Sequence, residues 1–447
     1  MNPLLMEDLF IQICHQITHI KILLKIELVS KWNKYLIRKN KWINFPIRIY
    51  SQIIKIFMTH NFGNVNLYHV QINNEIILKL INAYALNLSS NINDKTILKL
   101  ANSNSFNVHA LNLSGRNVTD SSILHLTNIH TLDLSHTNIT DIGASQLTNV
   151  HTLNLASAKI TNETASRLVN VRILDLNNTS ITDASILQLT NIRKLCLNYT
   201  GITDMCVSQL VNLHTLYLDG TDITDASVLN LVNVHTLSLC NTNVTDFSIS
   251  KLTNVYKLYL NNTRVTDASI EKLVNVHTLS LIHTNVTDTS ISKLTDKHIL
   301  DLSHTSVTNK SISKLIKAHT LILSDTCVTD KSISKLVNAH TLVLSYTRIT
   351  DASISKLVNV HTLDVEGTSI TDASISKLIN AHTLNLNYTK TTDASVSKLT
   401  NLNCLWIKDT AVTKKCIHHL RFNGMISKCR RTEHIANYLD KYIDFFS

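Results

Sequence analysis

A repeat with a strict period of 21 residues governs most of this chain. The segment from 214 to 234 reads HTLYLDGTDITDASVLNLVNV, and its pattern occurs in fifteen successive copies with leucine at one fixed position. These anchor leucines are Leu111, Leu132, Leu153, Leu174, Leu195, Leu216, Leu237, Leu258, Leu279, Leu300, Leu321, Leu342, Leu363, Leu384 and Leu405. Such regularity predicts a solenoid in which each unit buries its apolar face on its neighbours. It also explains how 447 residues avoid the size limit of a single core.

The first half of each unit predicts a short strand followed by a turn. Leu216 and Leu218 are two residues apart, so both side chains point into the core, whereas Tyr217 between them points outward. Thr221 follows in a column that holds threonine in thirteen of the fifteen copies. A small polar side chain at this point is expected to turn inward and to bond the backbone of the turn.

The second half of each unit predicts a short helix. Asp225 precedes the run Ala-Ser-Val-Leu-Asn-Leu, which predicts that this residue is a helix N-cap. Val228 and Leu231 are three residues apart and therefore share one face of a short helix. Lys414 replaces the aspartate in the last copy, which indicates that the array ends there.

These columns resemble the leucine-rich repeat, with the pattern LxxLxLxxTxITDxSIxxLxN over residues 65–420. The resemblance implies an α/β solenoid with a parallel sheet on its concave face and short helices on its convex face. The segments 65–67 and 86–88 fit two earlier, less regular units, which gives about 17 units on the 21-residue period.

The residues before the array show helical periodicity and resemble an F-box. The motif is carried by Leu5, Glu7, Leu9, Ile13, Val29, Ser30, Lys31, Trp32 and Trp42. Met6 stands where the family has proline, and the interval from Val29 to Trp32 is one residue shorter than usual. The resemblance implies a three-helix domain over 1–42, joined by a connector over 43–64. Alternatively, residues 1–64 only cap the apolar end of the solenoid.

An F-box before leucine-rich repeats implies a substrate-recognition adaptor of a cullin-RING ubiquitin ligase. By motif match, Leu5, Leu9, Ile13, Val29 and Trp32 would dock on a Skp-type subunit bound to a cullin, and the concave face would hold a target protein. With a composition rich in Ile, Asn and Lys, the chain resembles such proteins of giant DNA viruses, so the partners would be the host's. The alternative is a protein-interaction scaffold without a ubiquitin link.

Charge and composition give no sign of a nucleic-acid or membrane partner. The formal net charge of +10 lies at the ends, because residues 1–64 carry +6 and residues 414–447 carry +4, which leaves the array neutral. There is no signal-peptide pattern and no run of 18 apolar residues. The eight scattered cysteines form no CxxC motif and are expected to be free thiols in the cytoplasm.

The sequence offers no catalytic motif, so we expect no enzyme and no cofactor or metal. Eleven of the 22 histidines occupy one column, two residues before the anchor leucine. Stacked imidazoles are able to bind metals, but repeat duplication explains the column more simply. Protonation would place like charges side by side, so stability should fall below about pH 6.5.

Large side chains at outward positions of the concave face are the candidates for target binding. They are Tyr199, Tyr217, Tyr259, Tyr346, Tyr388 and Trp406. Aromatic residues often anchor protein interfaces. The alternative is that exposed tyrosines on a strand reflect β-propensity alone. Residues 421–447 are expected to form a C-terminal cap helix, because apolar positions between Ile435 and Phe446 recur with helical spacing.

Overall fold

The computed structural model describes residues 41–42, 47–49, 61–62, 64–67, 76, 80, 83–88, 92–102, 108–115, 117–126, 129–422 and 428–430. The chain divides into two compact units, Met1–Ile202 (unit 1) and Thr203–Ser447 (unit 2). The adaptor-binding residues predicted from the F-box motif, Leu5, Leu9, Ile13, Val29 and Trp32, lie outside the described residues. That prediction therefore stays a prediction.

Unit 1 contains short strands and helices that alternate from β5 onward. Its strands are β1 Lys41–Trp42, β2 Ile47–Ile49, β3 Asn61–Phe62, β4 Asn64–Leu67, β5 Ala85–Leu88, β6 Ala110–Asn112, β7 Thr131–Asp133, β8 Thr152–Asn154, β9 Ile173–Asp175 and β10 Lys194–Cys196. Its helices are α1 Asp94–Ala101, α2 Asp120–Ile123, α3 Asp141–Ala144, α4 Asn162–Ala165 and α5 Asp183–Ile186. Strands β2 and β4 to β10 pair in sequence order, all parallel, while β1 pairs with β3.

Unit 2 repeats the same alternation. Its strands are β11 Thr215–Tyr217, β12 Thr236–Ser238, β13 Lys257–Tyr259, β14 Thr278–Ser280, β15 Ile299–Asp301, β16 Thr320–Ile322, β17 Thr341–Val343, β18 Thr362–Asp364, β19 Thr383–Asn385, β20 Cys404–Trp406 and β21 Lys428–Arg430. Its helices are α6 Asp204–Val207, α7 Asp225–Val228, α8 Asp246–Ile249, α9 Asp267–Ile270, α10 Asp288–Ile291, α11 Asn309–Ile312, α12 Asp330–Ile333, α13 Asp351–Ile354, α14 Asp372–Ile375, α15 Asp393–Val396 and α16 Lys414–Phe422.

The parallel register follows the sequence period without a slip. Leu237 lies opposite Leu258, and Leu258 lies opposite Leu279, so each anchor leucine meets the anchor of the next unit. These leucines are fully buried, as is Ile249 on helix α8. Seventeen strands from β4 to β20 carry the repeat. The predicted α/β architecture of parallel strands and short helices is confirmed.

The threonine column closes most of the turns that follow the strands, as predicted. Thr221 Oγ1 donates to the carbonyl of Leu218 at 2.6 Å, and Thr242 does the same to Leu239. These threonines are buried, so the bond satisfies a hydroxyl that would otherwise be costly to remove from water. The residue just before this threonine is left-handed, for example Asn241 with φ 56°.

The prediction that Asp225 caps helix α7 is wrong. Thr224 is the N-cap, and its Oγ1 accepts from the Ala226 amide at 3.3 Å. Asp225 is the first helical residue, and its carboxylate reaches the next unit. It accepts from the Thr245 amide at 2.9 Å, the Thr245 hydroxyl and the Ser248 hydroxyl. The aspartate column therefore joins each 21-residue repeat to the next repeat and does not cap the helix of its own repeat.

The hydrogen bonds between repeats lower the pKa of Asp225. Burial alone would raise the pKa of Asp225, but the hydrogen bonds from Ser248 and Thr245 outweigh it and hold the pKa below its ordinary value. An asparagine supports the same geometry without charge. Asn309 accepts from the Thr329 amide at 3.0 Å and from the Ser332 hydroxyl at 2.7 Å.

Both ends of the array differ in part from the expected boundaries. Strand β2 lies inside the predicted connector and pairs with β4, so the sheet begins before residue 65. At the other end, β21 pairs in parallel with β20, within the segment predicted as a cap helix. The helical stripe after Thr432 lies outside the described residues. Among the helices that the structure describes, none is long and apolar enough to cross a membrane.

Candidate functional site

The sheet of each unit has an outer face that carries the residues pointing away from the leucine core. Three positions in each repeat contribute: the last residue of the strand, the residue after the second core leucine, and the left-handed residue that follows. In unit 1, Asn112 and Asn154 at the first of these positions are partly exposed, whereas Asp175 is buried. In unit 2, Asp364 and Asn385 at the same position are buried. The outer face is thus most enclosed near β18 and β19.

A network of carboxylate and amide groups occupies this enclosed part. We call Asp364, Glu366, Asn385 and Asn387 the outer-face network, and all four side chains are buried. The Asn385 amide nitrogen donates to Asp364 Oδ2 at 2.9 Å and to Glu366 Oε2 at 2.8 Å. The amide nitrogen of Asn387 donates to the same Glu366 oxygen at 3.2 Å. Asn385 therefore bridges the two carboxylates.

The hydrogen-bond donors that the structure gives to Asp364 are all neutral. Burial raises the pKa of Asp364, and the charge of Glu366 adds to the rise, against hydrogen bonds from the Glu366 amide, Ser345 and Asn385. A buried carboxylate without a cation destabilises a fold unless its hydrogen bonds are complete. Such a cluster is therefore not what core packing alone would favour.

Tyr346 connects this network to the surface. Its hydroxyl donates to Glu366 Oε1 at 2.8 Å, and this bond, with burial and the Glu366 charge, raises the pKa of Tyr346 to about 12. The residue is 47% exposed. Its ring lies so close to Gly367 that a Cβ there would come within 2.5 Å of Cε1. The ring is thus fixed by one hydrogen bond and one close contact.

Tyr388 occupies the same position two repeats further along the chain. It is 41% exposed, and the Lys408 ammonium lies 5.0 Å from the centre of its ring, a cation–π distance. Tyr346 and Tyr388 have φ of 56° and 54°, in the left-handed region that bulky residues rarely adopt. On a strand spacing of about 4.8 Å, residues two units apart are roughly 10 Å apart.

The other predicted tyrosines are distributed along the array. Tyr199 belongs to unit 1, is 56% exposed and has the same left-handed conformation, with φ 54°. Tyr217 and Tyr259 lie at the ends of β11 and β13 and are partly exposed. The sheet register separates these two from Tyr346 by several strands. The predicted set is therefore not one site.

The prediction that Trp406 is an accessible outer-face residue is wrong. Its side chain has no exposed surface and belongs to an apolar cluster with Ile322, Val343 and Cys404. The strand position points outward as predicted, but this part of the outer face is enclosed. Alternation along a strand indicates on which face a side chain lies, and it does not indicate whether that face is open.

Sequence reasoning missed the outer-face network. The available signal was that acidic and amide residues occupy both outward strand positions in two consecutive units, as DVE at 364–366 and NLN at 385–387. Other units also have polar residues at these positions, so the pattern alone did not distinguish a buried cluster from a solvated face.

The histidine column forms stacks of rings beside the strand entrances. In unit 2 the stack runs through His214, His235, Tyr256, His277, His298, His319, His340, His361 and His382, with ring centres 4.3–5.1 Å apart. Burial and then neighbouring histidines lower the pKa of His319 and His340. Burial is the larger cause, whereas the sequence argument considered only the like charges. Across the described residues, no three or more His, Cys, Asp or Glu side chains are grouped so that they could hold a metal ion.

Comparison with known proteins concerns the fold. A family model described as "Leucine Rich repeat" matches residues 125–147. A search of curated proteins found no match. The structure is similar to an internalin (InlF) of Listeria monocytogenes at 22% identity, with 65% of this chain and 83% of that one covered and a TM-score of 0.44.

Two further solved structures show the same kind of similarity. The functional domain of InlJ from Listeria monocytogenes is 20% identical over 72% of each chain, with a TM-score of 0.47. A leucine-rich-repeat protein of Leptospira interrogans is 20% identical over 87% of this chain and 99% of that one, with a TM-score of 0.41. The repeating strand, turn and short helix make the fold of this chain a leucine-rich-repeat solenoid.

Proposed function

We propose that this protein is a non-enzymatic recognition scaffold that binds a target protein around Tyr346 and Tyr388 on the outer face of unit 2. The observation that carries the proposal is the support under Tyr346, whose exposed ring is held by the buried outer-face network and by Gly367. A side chain that is already fixed loses little conformational entropy on binding, so it makes an efficient interface anchor.

The neighbouring groups suit a mixed polar and aromatic interface. Tyr346 and Tyr388 present ring surface, and Lys408 adds a cation beside the second ring. Tyrosine and tryptophan are enriched among the residues that dominate binding energy in interfaces. Both tyrosines lie in left-handed turns after their strands and are 41–47% exposed, so a partner has access to them.

The specific role we propose is that of a target-recognition subunit of a cullin-RING ubiquitin ligase. The support is the F-box-like motif within residues 1–42, which by resemblance would dock Leu5, Leu9, Ile13, Val29 and Trp32 on a Skp-type subunit. Ubiquitin transfer would be performed by other subunits, and the setting would be the host cytoplasm. A scaffold without this link is the alternative.

Target binding is tested by quantitative affinity purification of full-length protein and two variants. The double variant Tyr346→Ala/Tyr388→Ala should lose at least ten-fold of any target that the wild type enriches, since interface anchors often contribute about 2 kcal/mol or more. Phe247→Ala removes another exposed aromatic ring, on helix α8, and serves as the matched control. Equal target recovery with the double variant would refute the proposed site.

The ubiquitin link is tested in the same purification by measuring the Skp-type subunit and the cullin. Full-length protein should retain both, and the variant Leu9→Ala/Ile13→Ala/Trp32→Ala should lose both. The tyrosine double variant should keep them, which separates loss of adaptor binding from loss of target binding. If the wild type retains neither subunit but still enriches a target through the tyrosines, the scaffold alternative is correct.

A further inference from the structure

A row of lysines runs along the helix side of unit 2. Each lysine lies two residues after one of eight consecutive helices, α8 to α15, and all eight are exposed. We call this set the basic row, which consists of Lys251, Lys272, Lys293, Lys314, Lys335, Lys356, Lys377 and Lys398. Because consecutive repeats stack in register, these side chains form a line along unit 2.

The fold does not need lysine at this position. Six earlier units have the same backbone with other residues in the column: His125, Gln146, Arg167, Gln188, Gln209 and Asn230. Helices α2 to α7 precede these residues with the same four-residue length as those before the lysines. A uniform residue at an exposed position that tolerates four other residue types indicates a role other than folding.

Few lysines of the basic row are ion-paired. In the part of the chain that the structure describes, one of the eight, Lys293, contacts a carboxylate, that of Glu271. The nearest acidic column begins the same helices and keeps its negative charge, but its carboxylate oxygens accept hydrogen bonds from the next repeat. Asp351, for example, accepts from the Thr371 amide at 3.0 Å and from the Thr371 and Ser374 hydroxyls. The stretch from Lys314 to Lys398 therefore presents its charge outward.

An exposed apolar line runs beside the same stretch. Ile316, Val337, Val358 and Ile379, which we call the aliphatic row, each lie two residues after a lysine of the basic row and are 40–52% exposed. A buried leucine separates the two rows in every unit, for instance Leu336 between Lys335 and Val337. Other units have threonine at the aliphatic position, such as Thr148. Aliphatic side chains are thus not required there by the fold.

We propose that the basic and aliphatic rows form a second docking surface, which binds an acidic amphipathic helix of a partner protein. The strands of successive repeats lie about 4.8 Å apart, which is close to the roughly 5.4 Å pitch of an α-helix, so one helix turn would face one repeat. Glutamates spaced three and four residues apart along one helix edge would meet successive lysines. Leucines along the adjoining edge would cover the aliphatic row.

The two rows together distinguish this partner from other polyanions. A nucleic-acid backbone would neutralise the lysines but leave the aliphatic row in water, and aromatic residues that stack on bases are missing from the basic row and from the aliphatic row. The lysine side chains are flexible, so they accommodate the small mismatch between the helix pitch and the unit spacing over four or five turns.

The test measures binding of a fluorescent synthetic helix of about five turns, roughly 18 residues, to the full-length protein. Its sequence places Glu along one edge and Leu along the next, and a second peptide contains the same residues in scrambled order. The variant Lys314→Gln/Lys335→Gln/Lys356→Gln/Lys377→Gln should bind the helix at least ten-fold more weakly. Raising the salt concentration should weaken wild-type binding, because exposed charge pairs are screened.

The matched control removes four positive charges elsewhere, as Lys159→Gln/Arg264→Gln/Arg348→Gln/Lys390→Gln. All four side chains are exposed and belong to one other column, so this variant should bind the helix as wild type does. The variant Ile316→Ser/Val337→Ser/Val358→Ser/Ile379→Ser should also weaken binding. Circular dichroism of every variant confirms that the solenoid is intact before binding is compared.

Three outcomes would overturn the proposal. They are equal binding of the scrambled peptide, unchanged binding by the four-lysine variant, and row-dependent binding of phosphatidylserine vesicles or single-stranded DNA without binding of the helix. The tyrosine variant Tyr346→Ala/Tyr388→Ala should bind the helix normally. Failure of this inference is thus distinguishable from failure of the target site around Tyr346.

Discussion

Units 1 and 2 share their inner columns and differ in their outer ones. Both stack leucines in the core, close most turns with threonine and link neighbouring repeats through an aspartate or asparagine. On the outer face, unit 1 buries Asp175 but leaves Asn112 and Asn154 partly exposed, whereas unit 2 encloses Asp364 and Asn385 in a hydrogen-bonded network. On the helix side, unit 2 alone carries the basic row.

This difference separates folding from recognition within a single chain. Columns that are alike in both units satisfy packing or hydrogen bonding, so they carry little information about a partner. Columns that differ while the backbone stays the same are free of that constraint. Both proposed docking surfaces, around Tyr346 and along the basic row, lie in such columns.

The largest expected loss of stability concerns the aspartate column, which both units share. Asp267→Ala removes the acceptor for the Thr287 amide, the Thr287 hydroxyl and the Ser290 hydroxyl, and should destabilise by about 3 kcal/mol, because several donors lose their partner. Asp141→Ala should cost about the same in unit 1. Urea unfolding followed by circular dichroism measures both.

The control for the aspartate prediction is Asp267→Asn. Asn309 already accepts from the Thr329 amide and the Ser332 hydroxyl, and it donates to the Thr329 hydroxyl, so this variant should lose less than about 1 kcal/mol. If alanine at position 267 were harmless, or if asparagine were as damaging as alanine, the aspartate column would not be what couples the units.

An ionised group in unit 1 provides the second prediction. Burial raises the pKa of Asp175 to about 6 from an ordinary 3.8, so the folded state disfavours its charge at neutral pH. Asp175→Asn should therefore stabilise the protein at pH 7.5 by up to about 3 kcal/mol, at 1.36 kcal/mol for each pKa unit. The gain should shrink towards pH 4, where the native aspartic acid is already protonated.

Asp301→Asn is the comparison variant in unit 2. Asp301 occupies the same strand position but is partly exposed, so the amide should change stability little at either pH. Urea unfolding at both pH values checks the pair. A stabilisation of equal size at position 301 would show that the effect does not arise from burial.

Two glycines with the same backbone conformation give the third prediction. Gly115 in unit 1 has φ 63° and nothing within 4 Å of an added Cβ, whereas Gly367 in unit 2 has φ 66° and the Tyr346 ring in the way. Gly115→Ala should cost about 1 kcal/mol for the left-handed backbone. Gly367→Ala should cost roughly 1–2 kcal/mol more, because overpacking adds to that strain. Thermal unfolding measures the difference, and equal costs would show that the ring moves freely.

The smallest change in stability is expected in mild acid, because the histidines and the buried aspartates change the stability in opposite directions. Burial is the largest cause that lowers the pKa of four histidines in unit 2, which are His235, His277, His319 and His340. The folded state therefore resists their protonation, and stability falls as the pH drops below about 6.5. Burial raises the pKa of Asp219 and Asp364, which acts in the opposite direction.

In unit 1 the effects of the histidines and the aspartates on stability are closer to balance under the same conditions. There the lowered pKa of His130 opposes the raised pKa of Asp175. Between pH 7.5 and 5.5 the protection of backbone amides should therefore fall more in unit 2 than in unit 1. Hydrogen exchange, corrected for the intrinsic rate at each pH, tests this, and equal changes in both units would exclude the histidine stack as the cause.

The sequence alone was sufficient for the solenoid, the strand register and the inward threonine. A period of 21 residues forces equivalent residues into contact, so Leu237 and Leu258 have no other arrangement that buries both. The aspartate was identified as structural but was assigned to the wrong bond, because a local helix rule does not include the neighbouring unit that Asp225 reaches.

Only the tertiary structure decided which outward positions are open. Tyr346 and Tyr388 are accessible and Trp406 is not, although all three point away from the leucine core. The pattern along a strand specifies a direction for each side chain, while burial depends on what packs across that face. The outer-face network and the line formed by the basic row likewise exist only once the units are stacked, because residues 21 positions apart become neighbours there.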